Sequence, residues 1–244
     1  MSSTLADLKP QGHIQAAFIG VDWGTSNLRV MRVGEGGTIL DVRDDNRGAA
    51  RLTAEQFRGV LHDVASDWLS DTNQVLVCGM AGARGKWRET GYRSCPAGLR
   101  DLSPIAIDDA DARIAIVPGV AFVQQTAQAD VMRGEETQVL GLTDGPYSGL
   151  VVTPGTHSKW AQVVDGKISA FKTFMTGEFY ALLSQHSILA KTCLPDAPLK
   201  KEVFIDGVMQ SQKPGGLLHH AFTARSLTLF EKLNPAQSSS YISG

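Results

Sequence analysis

The chain has 244 residues, 43% of them hydrophobic and 20% charged, with a formal net charge of −2. That length allows one large or two smaller domains with a substantial core. The near-neutral balance excludes an electrostatic footprint for nucleic acid or an anionic membrane, and no apolar run reaches the length of a membrane span.

Residues 1–15 are mostly polar and lack a signal-peptide apolar region, which predicts a short disordered leader and a cytoplasmic protein. Cys78, Cys95 and Cys193 are far apart and fit neither a zinc spacing nor a disulfide framework. The apolar run from Ala16 to Val21 predicts a buried strand, and Leu28–Val33 its hairpin partner. Between them lies a polar turn, Gly24-Thr25-Ser26-Asn27. Such turns expose several backbone N–H groups in a row, and those suit phosphate oxygens. Asp22, at the lip, is placed to hold a hydrated Mg²⁺ against a nucleotide's phosphates. An ordinary hairpin with Asp and Asn making turn hydrogen bonds is the competing reading.

Thr38–Val42 adds a third strand, followed by a polar loop from Asp44 to Gly48. A helix from Ala54 to about Leu69 follows, with Thr53 as N-cap and Gln56 at the capping-box position. The strand Val75–Cys78 runs into Gly79-Met80-Ala81-Gly82-Ala83-Arg84-Gly85-Lys86-Trp87. Loops beyond strand carboxyl ends line pockets in open α/β sheets. Arg84 and Lys86 suit an anionic substrate and Trp87 an apolar wall; a solvated basic loop is equally compatible. Residues 88–104 read as irregular, and Ile114–Val117 as a strand. A helix over Val131–Leu140 would carry Glu135 and Glu136 near its start. There they either complement the helix dipole or supply a general base.

Gly149–Val152 is a strand leading into Thr153-Pro154-Gly155-Thr156-His157-Ser158-Lys159-Trp160, with Ala161–Val164 after it. Asp165-Gly166 signals a two-residue hairpin into Ile168–Phe174. Strand, Gly/Thr/Ser turn and return strand thus occur twice, which suggests two related domains facing each other. Beyond them, helices are predicted over Gly177–Lys191 (capped by Thr176, with His186 on its apolar face), Leu199–Gln210 and Leu217–Leu233. His219-His220 reads as a solvated pair, and Asn234–Gly244 is Ser-rich.

Four stretches together resemble the 2-dehydro-3-deoxygalactonokinase family of sugar-acid kinases: Asp22–Arg29, Met132–Gln138, Pro154–Trp160 and Phe174–Glu178. The resemblance implies an α/β fold of two ribonuclease-H-like (actin-like) domains, here 16–146 and 147–244, with ATP and Mg²⁺ in the cleft between them. It further implies that members continue past the position of Gly244, leaving the second domain incomplete and its adenosine-binding segment missing. Gly24, Thr25, Ser26 and Asn27 match the first phosphate loop; Gly155, Thr156, His157, Ser158 and Lys159 match the second. Asp22 would organise Mg²⁺. Glu135 is the favoured base, with Glu136 and Asp130 as contenders. Gly79, Met80, Ala81, Gly82, Arg84, Trp87 and Arg133 would line the sugar-acid pocket, Arg133 or Arg84 pairing with the substrate carboxylate. The expected partner is a small sugar acid, and a homo-oligomer is left open. A non-catalytic sugar-acid sensor or inactive kinase-like domain, and a phosphoanhydride hydrolase of the same superfamily, are the alternatives.

Overall fold

The computed structural model describes residues 15–107, 112–124, 128–143 and 145–244, so the expected leader, Gln15 apart, lies outside the described residues. The described chain is α/β and separates into two compact units. One runs up to Thr153 and includes Lys159–Thr173; the other joins Pro154–Ser158 to Phe174–Gly244.

The first unit begins with an antiparallel meander of β1 (Phe18–Trp23), β2 (Leu28–Val33) and β3 (Ile39–Asp45). Alternation along β1 and β2 buries Ile19, Val21, Trp23, Leu28, Val30 and Val33. Helix α1 (Gln56–Leu69) lays Phe57, Val60, Leu61, Ala65 and Trp68 into the same core. Burying a side chain of this size contributes about 1.5–3 kcal/mol. Thr53 does not cap α1 with its hydroxyl. The helix starts later, and the Thr53 N–H instead donates to Gln56 Oε1 at 2.9 Å, which is half of a capping box.

β4 (Gln74–Gly79) lies parallel to β1. Then come β5 (Tyr92–Ser94), β6 (Ile105–Ile107), β7 (Arg113–Ile116), β8 (Gly119–Val123) and β9 (Ala129–Met132). The stretch 88–104 is therefore not wholly irregular. The strands form one sheet of order β3-β2-β1-β4-β7-β6 and a second of order β5-β8-β9. The helix expected from Val131 starts only at Glu135: Val131 and Met132 end β9, and α2 is Glu135–Leu142. Gly134, at φ +109°, turns the chain between the two, in a conformation that side-chain-bearing residues rarely adopt. β10 (Gly149–Thr153), β11 (Ser158–Val164) and β12 (Lys167–Phe174) make a third sheet. Asp165 and Gly166 both have positive φ, 48° and 70°, as a type I′ hairpin requires.

The second unit is helical: α3 (Thr176–His186), α4 (Lys201–Ser211), α5 (Gly216–Leu229) and α6 (Pro235–Ser243). Thr176 is the first residue of α3 rather than its cap, and a 3₁₀ turn over Ile188–Thr192 replaces the rest of the expected helix. His186 is exposed, not a core histidine. His220 is buried and not solvated, because Gln210 Nε2 lies 3.1 Å from its Nδ1 and the Lys213 carbonyl 2.8 Å from its Nε2. The Ser-rich stretch forms α6. Asn234 and Gln237 form a reciprocal capping box, and Ser238, Ser239 and Ser240 are buried on α6.

Candidate active site

Thr25, Ser26 and Asn27 are exposed on the β1–β2 turn, and the turn is held from behind. The N–H groups of Ala49, Ala50 and Gly48 donate to the carbonyls of Gly24 (2.9 Å), Thr25 (3.0 Å) and Ser26 (3.2 Å). With three successive carbonyls committed on one side, the turn's own N–H groups are left for an anion. The fit is tight: a Cβ on Gly48 would lie 2.1 Å from the Ser26 carbonyl carbon. The turn after β10 uses the same device within the second unit. Gly155 and Thr156 carbonyls accept from the N–H groups of Gly177 (3.3 Å) and Glu178 (3.1 Å) in the first turn of α3. Ser158 bonds Thr176 through their hydroxyls, and His157 bonds Glu178. A Cβ on Gly177 would come within 2.8 Å of the Gly155 carbonyl, whereas one on Gly155 meets nothing within 4 Å. The close packing within this turn is at Gly177.

Asp22 is the next-to-last residue of β1 and the register partner of Arg29 and Cys78. Its carboxyl is held above its ordinary value, first by burial, while Arg29 opposes and the neighbouring Glu135 adds to the rise. Gln138 and the Cys78 thiol hydrogen-bond to it. Two facing carboxylates in a half-buried site are relieved by a cation. Among the described residues no three His, Cys, Asp or Glu side chains converge on one point. That suits Mg²⁺, which takes one or two carboxylates and keeps its waters.

The three contending acids differ sharply. Glu135, with its side chain 26% exposed, accepts from the Arg133 N–H at Oε2 (3.1 Å) and faces Lys159 Nζ at Oε1 (3.5 Å). Lys159 is itself buried, its side chain only 7% exposed. Glu136 is 0% exposed, and both of its oxygens take the Gly134 N–H, at 2.9 and 2.7 Å. Burial pushes its carboxyl to about 7. Enclosed in this way, Glu136 cannot touch a substrate in this conformation. Asp130, on β9, accepts the Thr173 N–H at 2.8 Å, a contact that ties β9 to β12.

The loop after β4 begins where Gly79, at φ +88°, packs against Gly134; a Cβ on Gly134 would sit 3.2 Å from the Gly79 Cα. Met80 and Ala81 follow at the edge of the main core, and Trp87 packs with Trp23 (5.8 Å) and Phe57 (5.9 Å) rather than standing as a free wall. Lys86 donates to the Leu52 carbonyl at 3.0 Å. Arg84 reaches into solvent, its side chain 91% exposed and 3.6 Å from Glu89. Sequence reasoning missed Gly48, Gln138, Gly177 and Thr90. Only Gln138 carried a signal, lying three residues after Glu135 on one helix.

The model of the 2-keto-3-deoxy-galactonokinase family matches residues 22–244. The chain belongs to this family. It is 40% identical to the Rhizobium meliloti (strain 1021) protein named Probable 2-dehydro-3-deoxygalactonokinase DgoK1, over 71% of this chain and 58% of that one. It is 33% identical to the 2-dehydro-3-deoxygalactonokinase of Escherichia coli (strain K12), over 94% of this chain and 77% of the other. A crystal structure from Sinorhizobium meliloti bearing the same kinase name superposes with a TM-score of 0.84 at 35% identity, covering 93% of this chain and 77% of that one. The chain thus spans between 58% and 77% of these relatives' lengths. The family and both curated relatives carry the name of a sugar-acid kinase. No helix among the described residues is long and apolar enough to cross a membrane.

Proposed function

We propose that the chain transfers the γ-phosphoryl group of ATP to the terminal hydroxyl of 2-dehydro-3-deoxy-D-galactonate. The observation that carries this reading is the charge coupling of Asp22 to Glu135 beside a turn with three successive carbonyls tied back. The hydroxyl oxygen attacks the γ-phosphorus, the bond to the β,γ-bridging oxygen breaks, and the hydroxyl proton passes to a carboxylate. Glu135 takes that proton, being the partly exposed member of the three contending acids. The Arg133 N–H and Lys159 hold its two oxygens in a fixed orientation. The amides of Gly24–Asn27 are read as one phosphate-binding turn and, each unit taken by itself, those of Gly155–Ser158 as another. Asp22 would hold a hydrated Mg²⁺, which when bound would supply neutralisation of charge on the transferring phosphoryl group. Such catalysis is mainly positioning and electrostatics. The sheet β3-β2-β1-β4-β7 is read as the first ribonuclease-H-like half and the β10–β12 hairpins as the start of the second; a cytoplasmic location belongs to the same reading.

The test is ADP release with and without the sugar acid. Release that depends on the acid supports the kinase, acid-independent release supports a hydrolase, and acid binding without release supports a sensor. Asp22→Asn is expected to lower turnover about a hundredfold or more, the scale of losing one charge-stabilising group. Because burial already disfavours the Asp22 charge, its melting midpoint should hold or rise. Retained turnover with normal Mg²⁺ dependence refutes the role of Asp22.

A further inference from the structure

We infer that the Arg133 guanidinium is a built anion site and that it takes the carboxylate of the sugar-acid substrate; the identity of the anion rests on the kinase reading above. Arg133 follows β9 and is half-buried. Its Nη1 donates to the Thr90 hydroxyl at 2.7 Å and its Nη2 to the Gly91 carbonyl at 2.8 Å. Its Cζ lies 4.4 Å over the Tyr92 ring. Gly82 makes room for this arrangement, since a Cβ there would meet Thr90 Oγ1 at 2.6 Å and Arg133 Nη1 at 2.7 Å. The fork is therefore fixed before any ligand arrives, and fixing the geometry beforehand removes the ordering cost that weakens binding by a mobile side chain.

Every one of these partners is neutral. The acids that follow Arg133 are turned elsewhere: Glu135 Oε1 faces Lys159, and Glu136 is closed on the Gly134 N–H. Arg133 Nε is buried with no hydrogen-bond partner among the described residues. A guanidinium is always charged and carries five N–H donors. One that is half out of water, held by neutral acceptors and, among the described residues, lacking a counter-charge, is completed by an anion. Arg84 is the poorer alternative, because it lies in solvent and has Glu89 beside it. The Arg133 backbone N–H bonds Glu135, so anion site and base share one turn of chain. That turn also lies against the Gly79–Gly82 loop, through the Gly134–Gly79 and Arg133–Gly82 approaches.

The competing account is a strut that only ties Thr90–Tyr92 to the end of β9. Calorimetry with 2-dehydro-3-deoxy-D-galactonate and with its C1 amide separates the two. The unmodified protein should bind the acid at least tenfold more tightly than the amide. Arg133→Met should weaken acid binding about tenfold to a hundredfold, the range for losing hydrogen bonds to a charged partner, and abolish the preference over the amide while leaving ATP binding unchanged. Arg133→Lys should keep part of the preference. Should Arg133→Met fail to fold, Thr90→Val loosens the fork while retaining the charge, and should lower acid affinity several-fold and amide affinity little. Equal loss of acid and amide, or an unchanged preference in either variant, overturns the inference while leaving the kinase reading standing. An unmodified protein that neither binds nor phosphorylates the acid overturns both.

Discussion

Glu136 offers a prediction that separates stability from chemistry. Its carboxyl titrates near 7 in the folded chain against an ordinary 4.5, chiefly because it is buried. A raised acid pKa means that the folded state binds the proton more tightly than the unfolded one. Stability from this group is then fully present below about pH 4.5 and is lost as pH rises through about 7. Holding the acid from 4.5 to about 7 corresponds to about 3 kcal/mol. Glu136→Gln removes the charge and keeps the shape, and the rise to about 7 is already net of the opposing bond from the Gly134 N–H. The variant should therefore be about 3 kcal/mol more stable than the parent at pH 8, or about 6–12 °C in melting midpoint for a chain of this size. At pH 4.5 the gap should close. Thermal melts of both proteins at half-unit steps from pH 4.5 to 8 decide it. Parallel curves refute the reasoning, as does a variant that is less stable at pH 8 by as much as at pH 4.5.

Two glycines give complementary tests of the turns. Gly48→Ala places a Cβ 2.1 Å from the Ser26 carbonyl carbon, so the first turn must move; ATP affinity should fall at least tenfold, with a stability loss above about 2 kcal/mol, measured by calorimetry and urea melts. Gly177→Ala presses on the Gly155 carbonyl at 2.8 Å and should weaken ATP without changing sugar-acid binding, whereas Gly155→Ala should leave the melting midpoint unchanged; equal losses for both ligands in Gly177→Ala would make that turn purely structural.

What could be read from the sequence was local. β2 and both strand-turn-strand units follow from alternation over a few residues, and Asp165-Gly166 announced its own hairpin. Val131 and Met132 misled because two adjacent apolar residues fit a strand end as well as a helix start. The decision lay in the backbone of Gly134, whose positive φ has no signature beyond being glycine. The candidate site was legible only in parts. Asp22 and Glu135 each carried a hint, but their meeting depends on how α2 lies against the end of β1. The burial of Glu136, the supports around Arg133 and the Gly48 clamp come from chain segments that are distant in sequence. His220 was misjudged for the same reason, since its neighbours Gln210 and Lys213 come from α4 and the residues that follow it.

Trp23, Phe57 and Trp87 touch in one cluster, with Trp23 and Phe57 centroids 4.7 Å apart. Trp23 is the residue before the first phosphate turn, and Trp87 ends the loop that begins at Gly79. The two indoles sit edge to face at 78°, close enough for their ultraviolet transitions to couple. The near-ultraviolet circular dichroism of the chain therefore carries an intrinsic signal from both loops. A ligand that shifts either loop changes the angle between the rings and so the shape of the band, with no label attached.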